Sequence, residues 1–394
     1  MPNSNHTSQT EPHSDSLGYS NMDESATPSF KSAEEKITAE ILRQGVLPFP
    51  KFLEIALYDP EFGYYARPPK QVGRSGDFYT SVSVGPLFGR ILARRFLKWW
   101  LENGSPSAWR LVELGAHDGK LAADILAEIA AINPTAWGSL EFCSIEPLPQ
   151  LRKAQHQRLD PLASKLHIAE SANEISADSA PTILYGNEVL DALPFHLIRM
   201  RNKTWMELFV TEHFEFTEQE PSARLQDKLK IIGNNFPENY QTEIRTSFQD
   251  FLEPLLAIGN IELLLFIDYG FASPEYYDTY RSKGTMRTFS KQKAAEDPFQ
   301  DIGQIDITAH VDFTDLSRVL IEKGIHPSHF SNQSSYLTHL AAEMITNEEI
   351  KDRHTVAQFQ TLTHPSQLGN RFHAIEFAKN QSTPPSVNHR LALL

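Results

Sequence analysis

From Arg110 onward the chain alternates short apolar runs with helical segments, and no other feature restricts its fold as much. Leu111-Val112-Glu113-Leu114 reads as a first strand and Leu121 to Ile132 as a first helix. Leu140 to Ile145 is a second strand, followed by a polar helix from Pro149 to Leu159. His167-Ile168-Ala169, Ile183-Leu184-Tyr185 and Glu262 to Ile267 supply a third, a fourth and a fifth strand. Strands separated by helices pair in parallel, and a parallel sheet is covered on both faces. The expected fold is therefore α/β, a doubly wound Rossmann-like sheet, with ligands over the carboxyl ends of its strands.

The remaining segments flank or interrupt that sheet. Residues 1–31, rich in Ser, Asn, Thr, His and Pro, read as a disordered tail. Ser32-Ala33-Glu34-Glu35 is a helix-start signal before Ile37, Ile41 and Leu42. A short helix follows at Pro50 to Leu57, a structured loop at Gly73 to Pro86 and a helix at Leu87 to Trp100. These make 32–109 an N-terminal helical and loop region, and 110–194 the first part of the sheet domain. Residues 195–260 form an insertion, a lid or substrate platform, with a small β meander from Trp205 to Phe216 and helix from Phe236 to Leu256. The second part of the sheet domain and C-terminal helices, at Phe313 to Lys323 and Ser335 to Glu349, occupy 261–394.

Charge narrows the partners. A formal net charge of -14 over 394 residues, with pI near 5.5, argues against non-specific nucleic-acid binding, which needs clustered Lys and Arg. An acidic surface suits a basic protein or peptide, and it is equally that of an ordinary acidic enzyme. The single cysteine, Cys143, excludes an intramolecular disulfide and a Cys-based zinc site. No run approaches the ~20 apolar residues that span a bilayer. The start has no apolar h-region and no Arg, and it carries Glu11, Asp15, Asp23 and Glu24. Neither a signal peptide nor a transit peptide is expected, and the expected location is cytoplasmic. The 15 His show no ligand spacing such as H-E-x-x-H, so no metal is expected.

The strongest local signal is Glu113-Leu114-Gly115-Ala116-His117-Asp118-Gly119-Lys120-Leu121, an acid at a strand end followed by a glycine turn into a helix. Such a turn brings backbone close to a ligand and offers unpaired N–H groups. A dinucleotide fingerprint would read G-x-G-x-x-G; Gly115-x-x-x-Gly119 lacks it. That favours a ligand with an amino-acid moiety and a nucleoside without phosphate; an ordinary strand-to-helix turn is the plain alternative. Glu146, after the second strand, either accepts the hydroxyls of a ribose or caps the helix that follows.

Longer motifs make a resemblance. Phe52-Leu53-Glu54-Ile55-Ala56-Leu57-Tyr58-Asp59-Pro60-Glu61-Phe62-Gly63-Tyr64-Tyr65 resembles the opening signature of the MidA-like methyltransferases. Gly76-Asp77-Phe78-Tyr79-Thr80-Ser81, Leu87-Phe88-Gly89 and Gly186-Asn187-Glu188-Val189-Leu190-Asp191-Ala192-Leu193-Pro194 continue it in order. So do Ile267-Asp268-Tyr269-Gly270, Gly284-Thr285-Met286-Arg287 and Asp306-Ile307-Thr308-Ala309-His310-Val311-Asp312-Phe313.

The resemblance implies a class I methyltransferase sheet with S-adenosyl-L-methionine over the strand ends. Gly115, Ala116 and Gly119, beside Glu113, would border its methionine part, Glu146 would hold its ribose, and Gly76, Asp77 and Thr80 would help cover it. Asn187, Glu188 and Asp191 would face the substrate, which in one branch of the family is an arginine of a partner protein. Paired carboxylates, Glu188 and Asp191, would then grip the guanidinium; the plain alternative is that they cap the following helix and stabilise the loop. His310, which would share a side with Asp312 in an extended segment, either takes a proton and orients substrate or braces the structure. Asp268 either reaches the crevice or braces the turn at Tyr269. The expected partner is a protein, such as a respiratory-complex or other assembly subunit, with a homodimer left open. Two positions depart from the family: His117 replaces a glycine, and Thr80-Ser81-Val82-Ser83 stands where T-S-P-E is usual. They keep a second reading alive, a cofactor-binding scaffold that no longer methylates. A nicotinamide-type oxidoreductase is the remote third.

Overall fold

The computed structural model describes residues 29–67, 80–162, 165–290, 293–295, 297–379 and 381–393. Gly76 and Asp77, most of the expected tail and the loop from Gly73 to Tyr79 lie outside them. The first helix, Ala33–Gln44, begins where the sequence signals it: the Ser32 hydroxyl accepts the Glu35 N–H at 3.2 Å. A two-residue strand β1, Leu47–Pro48, leads into the helix Phe49–Tyr58, whose apolar face is buried.

The main sheet contains β2 (Trp109–Leu114), β3 (Leu140–Ile145), β4 (Leu166–Ala169) and β5 (Asp178–Asn187). In the insertion, β6 (His196–Arg201), β7 (Thr204–Val210), β8 (Phe216–Gln219) and β9 (Gln241–Ile244) form an antiparallel sheet in the order β1-β7-β6-β9, with β8 on β7. The main sheet resumes with β10 (Gly259–Phe271). A three-stranded sheet follows from β11 (Arg287–Ser290), β12 (Lys293–Ala295) and β13 (Asp306–Thr308). Last come β14 (Val311–Asp312), which lies parallel to β10, then β15 (Ile325–Asn332) and β16 (Phe372–Lys379).

Strand order in the main sheet is β15-β16-β10-β5-β2-β3-β4. All neighbours are parallel except β16, which runs antiparallel to both β10 and β15. One face packs against the helices Leu87–Glu102, Lys120–Ile132 and Gln333–Leu340, the other against Ser247–Leu256 and Phe313–Ile321. All six residues of β2 are buried, so its apolar residues show no alternation, and the two charged ones, Arg110 and Glu113, are buried with them.

Two expectations change. The C-terminal part contributes two strands, β15 and β16, where only helices were expected. The stretch from Phe236 to Leu256 is not one helix: β9 precedes a helix at Ser247–Leu256. No helix among the described residues is long and apolar enough to cross a membrane.

Candidate active site

The turn after β2 is built from unusual backbone. Gly115, His117 and Gly119 all have positive φ, at 60°, 49° and 77°. A Cβ on Gly115 would come within 2.9 Å of a Val189 methyl carbon, so its left-handed bend and its tight surroundings both demand glycine. Gly115 is nonetheless exposed, presenting bare backbone to the crevice, whereas Ala116 is buried and its carbonyl accepts the Gly119 N–H at 2.7 Å. The helix after β3, Pro149–Leu159, fixes the turn from behind. Gln155 donates to the His117 carbonyl at 2.9 Å, and Arg158 grips the Asp118 carbonyl and carboxylate at 2.9 and 2.6 Å. Burial works against the Asp118 charge, but His117 and Arg158 prevail and hold its pKa at about 2. The His117 side chain is 41% exposed, 3.8 Å from Asp118, so the imidazole leans to solvent.

Two carboxylates stand at neighbouring strand ends. Glu113 is buried and accepts the Tyr185 hydroxyl at 3.1 Å. Burial, helped by Asp118 and Glu146 and opposed by Tyr185, pushes it up to about 8. Glu146, one residue past β3, accepts the Leu148 N–H at 3.2 Å, and burial pushes it up to about 7. Both therefore gain from any cation that enters.

Across the crevice, β5 ends in a sharp turn. Glu188 has a φ of 55°, a conformation that costs a non-glycine residue about 1 kcal/mol or more. Its N–H donates to the Ile267 carbonyl at 2.9 Å. Asp268 holds the rest: one carboxylate oxygen accepts the N–H groups of Val189, Leu190 and Asp191 at 3.1, 2.8 and 3.4 Å, the other that of Tyr269 at 2.8 Å. Asp268 thus braces two turns. The strained turn presents Glu188, Asp191 and Asn187 together. Burial, then repulsion from Asp191, pushes Glu188 up to about 8, against the Asn187 and Ser81 hydrogen bonds. Burial likewise lifts Asp191 to about 6, with Arg245 opposing. Asn187 donates to Glu188 at 2.9 Å, but its own Oδ1 is buried with no partner. Thr80 caps the short helix Ser81–Val84, accepting the Ser83 N–H at 3.2 Å.

His310 and Asp312 do not act as a pair. Asp312 turns away to cap the helix Phe313–Ile321, accepting the Thr314 and Asp315 N–H groups at 3.0 and 3.2 Å and the Ser273 hydroxyl at 2.7 and 2.8 Å. His310 lies parallel to the Tyr269 ring at 6.1 Å, with Nδ1 buried and unpartnered. Burial, with Arg287 and Arg281 nearby, lowers it to about 4, so the ring is neutral at pH 7.

Sequence reasoning assigned no role to three residues that shape this crevice. Tyr58 donates to the Ala192 carbonyl at 2.9 Å, and burial, with the charges of Asp306, Asp191 and Glu146, pushes its hydroxyl up. Tyr65 donates to Asp306 at 2.8 Å and packs on Tyr58 at 5.3 Å. Both tyrosines lie in the opening signature, so their type was visible while their position was not. Arg245, from the insertion, reaches in from the far side. An open cleft near the start of β10, lined by Arg95, Trp99, Tyr336 and Glu376, lies away from these groups, and its buried charges already pair at 2.7 Å.

These features fit S-adenosyl-L-methionine. Gly115 offers bare backbone, Glu146 offers a carboxylate at the strand end, and an acid-rich crevice suits an ammonium and a sulfonium. Comparison with known proteins agrees. A Drosophila melanogaster protein named as a mitochondrial protein arginine methyltransferase NDUFAF7 homolog is 26% identical, covering 86% of this chain and 83% of that one. The Xenopus laevis protein arginine methyltransferase NDUFAF7 is 25% identical over 84% and 81%. A crystal structure of a COG1565 superfamily member from Burkholderia thailandensis, bound to S-adenosyl-homocysteine, superposes with a TM-score of 0.76 at 28% identity, covering 88% of this chain and 92% of that one. The nicotinamide reading has nothing left to support it. The Methyltransf_28 model, described as an S-adenosyl-L-methionine-dependent methyltransferase, matches residues 91–331, and the chain belongs to that family, with a class I methyltransferase fold and S-adenosyl-L-methionine as its cofactor.

Proposed function

We propose that this chain methylates an arginine side chain of a partner protein, a respiratory-complex or other assembly subunit being the expected kind. One observation carries the reading. Glu188, half-buried, stands three residues from the buried Asp191 on one turn, no ion pair among the described residues neutralises either, and the Asn187 oxygen beside them lacks a donor. A site that crowds acceptors in this way is complementary to a cation bearing several N–H groups. The relatives' names, protein arginine methyltransferases, support the same class.

When bound, S-adenosyl-L-methionine supplies an electrophilic methyl whose bond to sulfur breaks toward sulfur as a nitrogen lone pair bonds to carbon. The chain's own groups do the rest. Glu188 and Asp191 hold the guanidinium and fix which nitrogen faces the methyl, while Asn187 Oδ1 accepts a further N–H. Asp191, which titrates at about 6, is largely ionised at pH 7 and can take the proton that the newly methylated nitrogen loses. Tyr58 and Tyr65 wall the crevice against water. The His117 ring, turned to solvent, supplies no steric reason for the scaffold reading.

The test is transfer of labelled methyl from S-adenosyl-L-methionine to an Arg-Gly repeat peptide and to its lysine counterpart. Methylarginine in the acid hydrolysate supports the proposal. Label on lysine would replace the substrate class, and tight cofactor binding with no transfer to either peptide or to protein extract would favour the scaffold.

A further inference from the structure

Arg245 follows directly on β9 and is buried to 4% exposure. Its guanidinium enters no ion pair among the described residues. Instead it donates to four main-chain carbonyls: Leu193 at 3.3 Å, Asp191 at 2.6 Å, Ala309 at 2.5 Å and His310 at 2.5 Å. The rings of Phe195 and Phe248 lie 5.3 and 6.0 Å from its central carbon. A buried cation spent wholly on carbonyls is costly unless it holds something in place. What it holds are two loops that enter the crevice from different parts of the chain. One is the Asp191–Leu193 turn after β5; the other is the Ala309–His310 segment before β14.

Glu243, within β9, completes the clamp. Glu243 accepts the N–H groups of Thr285 and Met286, both at 2.9 Å, and the Thr285 and Tyr276 hydroxyls at 3.0 and 3.1 Å. Thr285 in turn accepts the His310 N–H at 3.0 Å. His310 is therefore fixed through its N–H by the Glu243 chain and through its carbonyl by Arg245. Ser247, two residues on, donates to the Pro194 carbonyl at 2.8 Å.

We propose that Arg245 is a positioning residue for methyl transfer: by gripping the carbonyls of Asp191, Leu193, Ala309 and His310 it sets where the substrate-facing carboxylates stand. This gives the insertion a role at the site, since its strand β9 leads into the residue that registers the Asp191 loop against the His310 loop. The inference rests on the reading that the Asn187–Asp191 turn faces substrate. Around the Asp191 carboxylate stand Glu188 on its own turn, Asp268 and Tyr269 from β10, Tyr58 and Tyr65 from the N-terminal region, and Arg245 from the insertion. Arg245 is the cation of this group, so its charge also bears on when Asp191 ionises.

The experiment compares Arg245→Lys and Arg245→Met in the full chain, using methyl transfer to the Arg-Gly repeat peptide, calorimetry with S-adenosylhomocysteine, and amide hydrogen exchange. Both variants should bind S-adenosylhomocysteine within about threefold of the parent, while turnover falls about tenfold for lysine and about a hundredfold for methionine. The acidic limb of the turnover profile should move up by about one pH unit in the methionine variant and stay in place in the lysine variant. Equal losses in both variants with an unmoved acidic limb would reduce Arg245 to a stabilising residue and overturn the proposal, as would unchanged turnover. If the parent itself transfers nothing to the peptide, the arginine reading fails, and amide exchange decides the positioning claim separately. Faster exchange by about tenfold at 189–194 and 309–312 in the lysine variant, with β2 unaffected, upholds it; unchanged exchange there overturns it.

Discussion

Asp268 and Leu190 are joined by a 2.8 Å hydrogen bond from the Leu190 N–H to a carboxylate oxygen that also receives the Val189 and Asp191 N–H groups. A carboxylate at the far end of one strand therefore dictates the backbone of the turn after its neighbour. That turn includes the strained Glu188, and the strain persists only because its surroundings hold it. Asp268→Ala should leave four backbone donors, those of Val189, Leu190, Asp191 and Tyr269, without their acceptor at about 1 kcal/mol or more for each that water cannot reach, lowering the denaturant midpoint and cutting transfer by about a hundredfold. Urea unfolding read beside the radiolabel assay checks this; a variant that unfolds later than the parent would refute the account of the turn.

Glu188→Gln preserves shape and one acceptor oxygen but removes the proton that a bound guanidinium would displace, and with it the charge the carboxylate would then carry. Turnover should fall by about a hundredfold or more, while S-adenosylhomocysteine affinity stays within about threefold, as the proposed place of Glu188 on the substrate side requires. Calorimetry and single-turnover label transfer separate the two effects. Equal loss of binding and turnover would move Glu188 to the cofactor side.

Crowded carboxylates also fix the direction of a pH effect. Glu113 and Glu188 titrate at about 8 and Glu146 at about 7 in the folded chain, against 4.5 for a free glutamate. Groups whose folded pKa is raised stabilise fully below the unfolded value, and that contribution is lost as pH climbs through the folded one. His310 and His373, lowered to about 4 from 6.5, act oppositely, and their contribution is complete above 6.5. Thermal stability without cofactor should therefore fall between about pH 7 and about pH 8.5. S-adenosyl-L-methionine favours the ionised carboxylates, so its binding should tighten over that window and release about one proton. Calorimetry at pH 7 in buffers of different ionisation enthalpy reads the proton; uptake instead of release would contradict the assignment.

The sheet was legible where burial is two-sided, because β2, β3, β5 and β10 then carry clusters of apolar residues without strict alternation. β15 and β16 were hidden by their polar residues. Ile325–Asn332 carries His326, Pro327 and His329 at the sheet edge, with a register irregularity between Pro327 and His329. Phe372–Lys379 buries Glu376, which reads as a surface residue until Arg95 at 2.7 and 2.8 Å and the Tyr336 hydroxyl at 2.6 Å are seen to satisfy it. β9 was obscured in the same way by buried Glu243. At the site, Glu113, Glu146, Asn187, Glu188 and Asp191 were readable as strand-end residues, since a parallel sheet gathers its carboxyl ends. Arg245 and Tyr58 were not, because their contacts are with carbonyls more than fifty residues away in sequence, and a carbonyl carries no side-chain signature. The His310–Asp312 pairing failed because the helix start claimed Asp312 first.

Two positions of the turn after β2 make opposite predictions, although both have positive φ. His117 sits at φ 49° with a half-exposed ring, and its left-handed backbone costs a residue with a Cβ about 1 kcal/mol. His117→Gly should therefore stabilise the chain by up to about that much, partly offset by the greater freedom of glycine when unfolded, and should change cofactor affinity less than about threefold. Gly115→Ala meets both penalties at once: φ stays near 60°, and the new methyl would be driven to 2.9 Å from Val189 in a turn that Asp268 holds fixed. The backbone at Gly115 must then retreat from the crevice, and S-adenosylhomocysteine affinity should fall at least about tenfold. Calorimetry on the two variants in parallel decides the matter: if alanine at 115 binds as the parent does, Gly115 is not where the cofactor lies against the backbone.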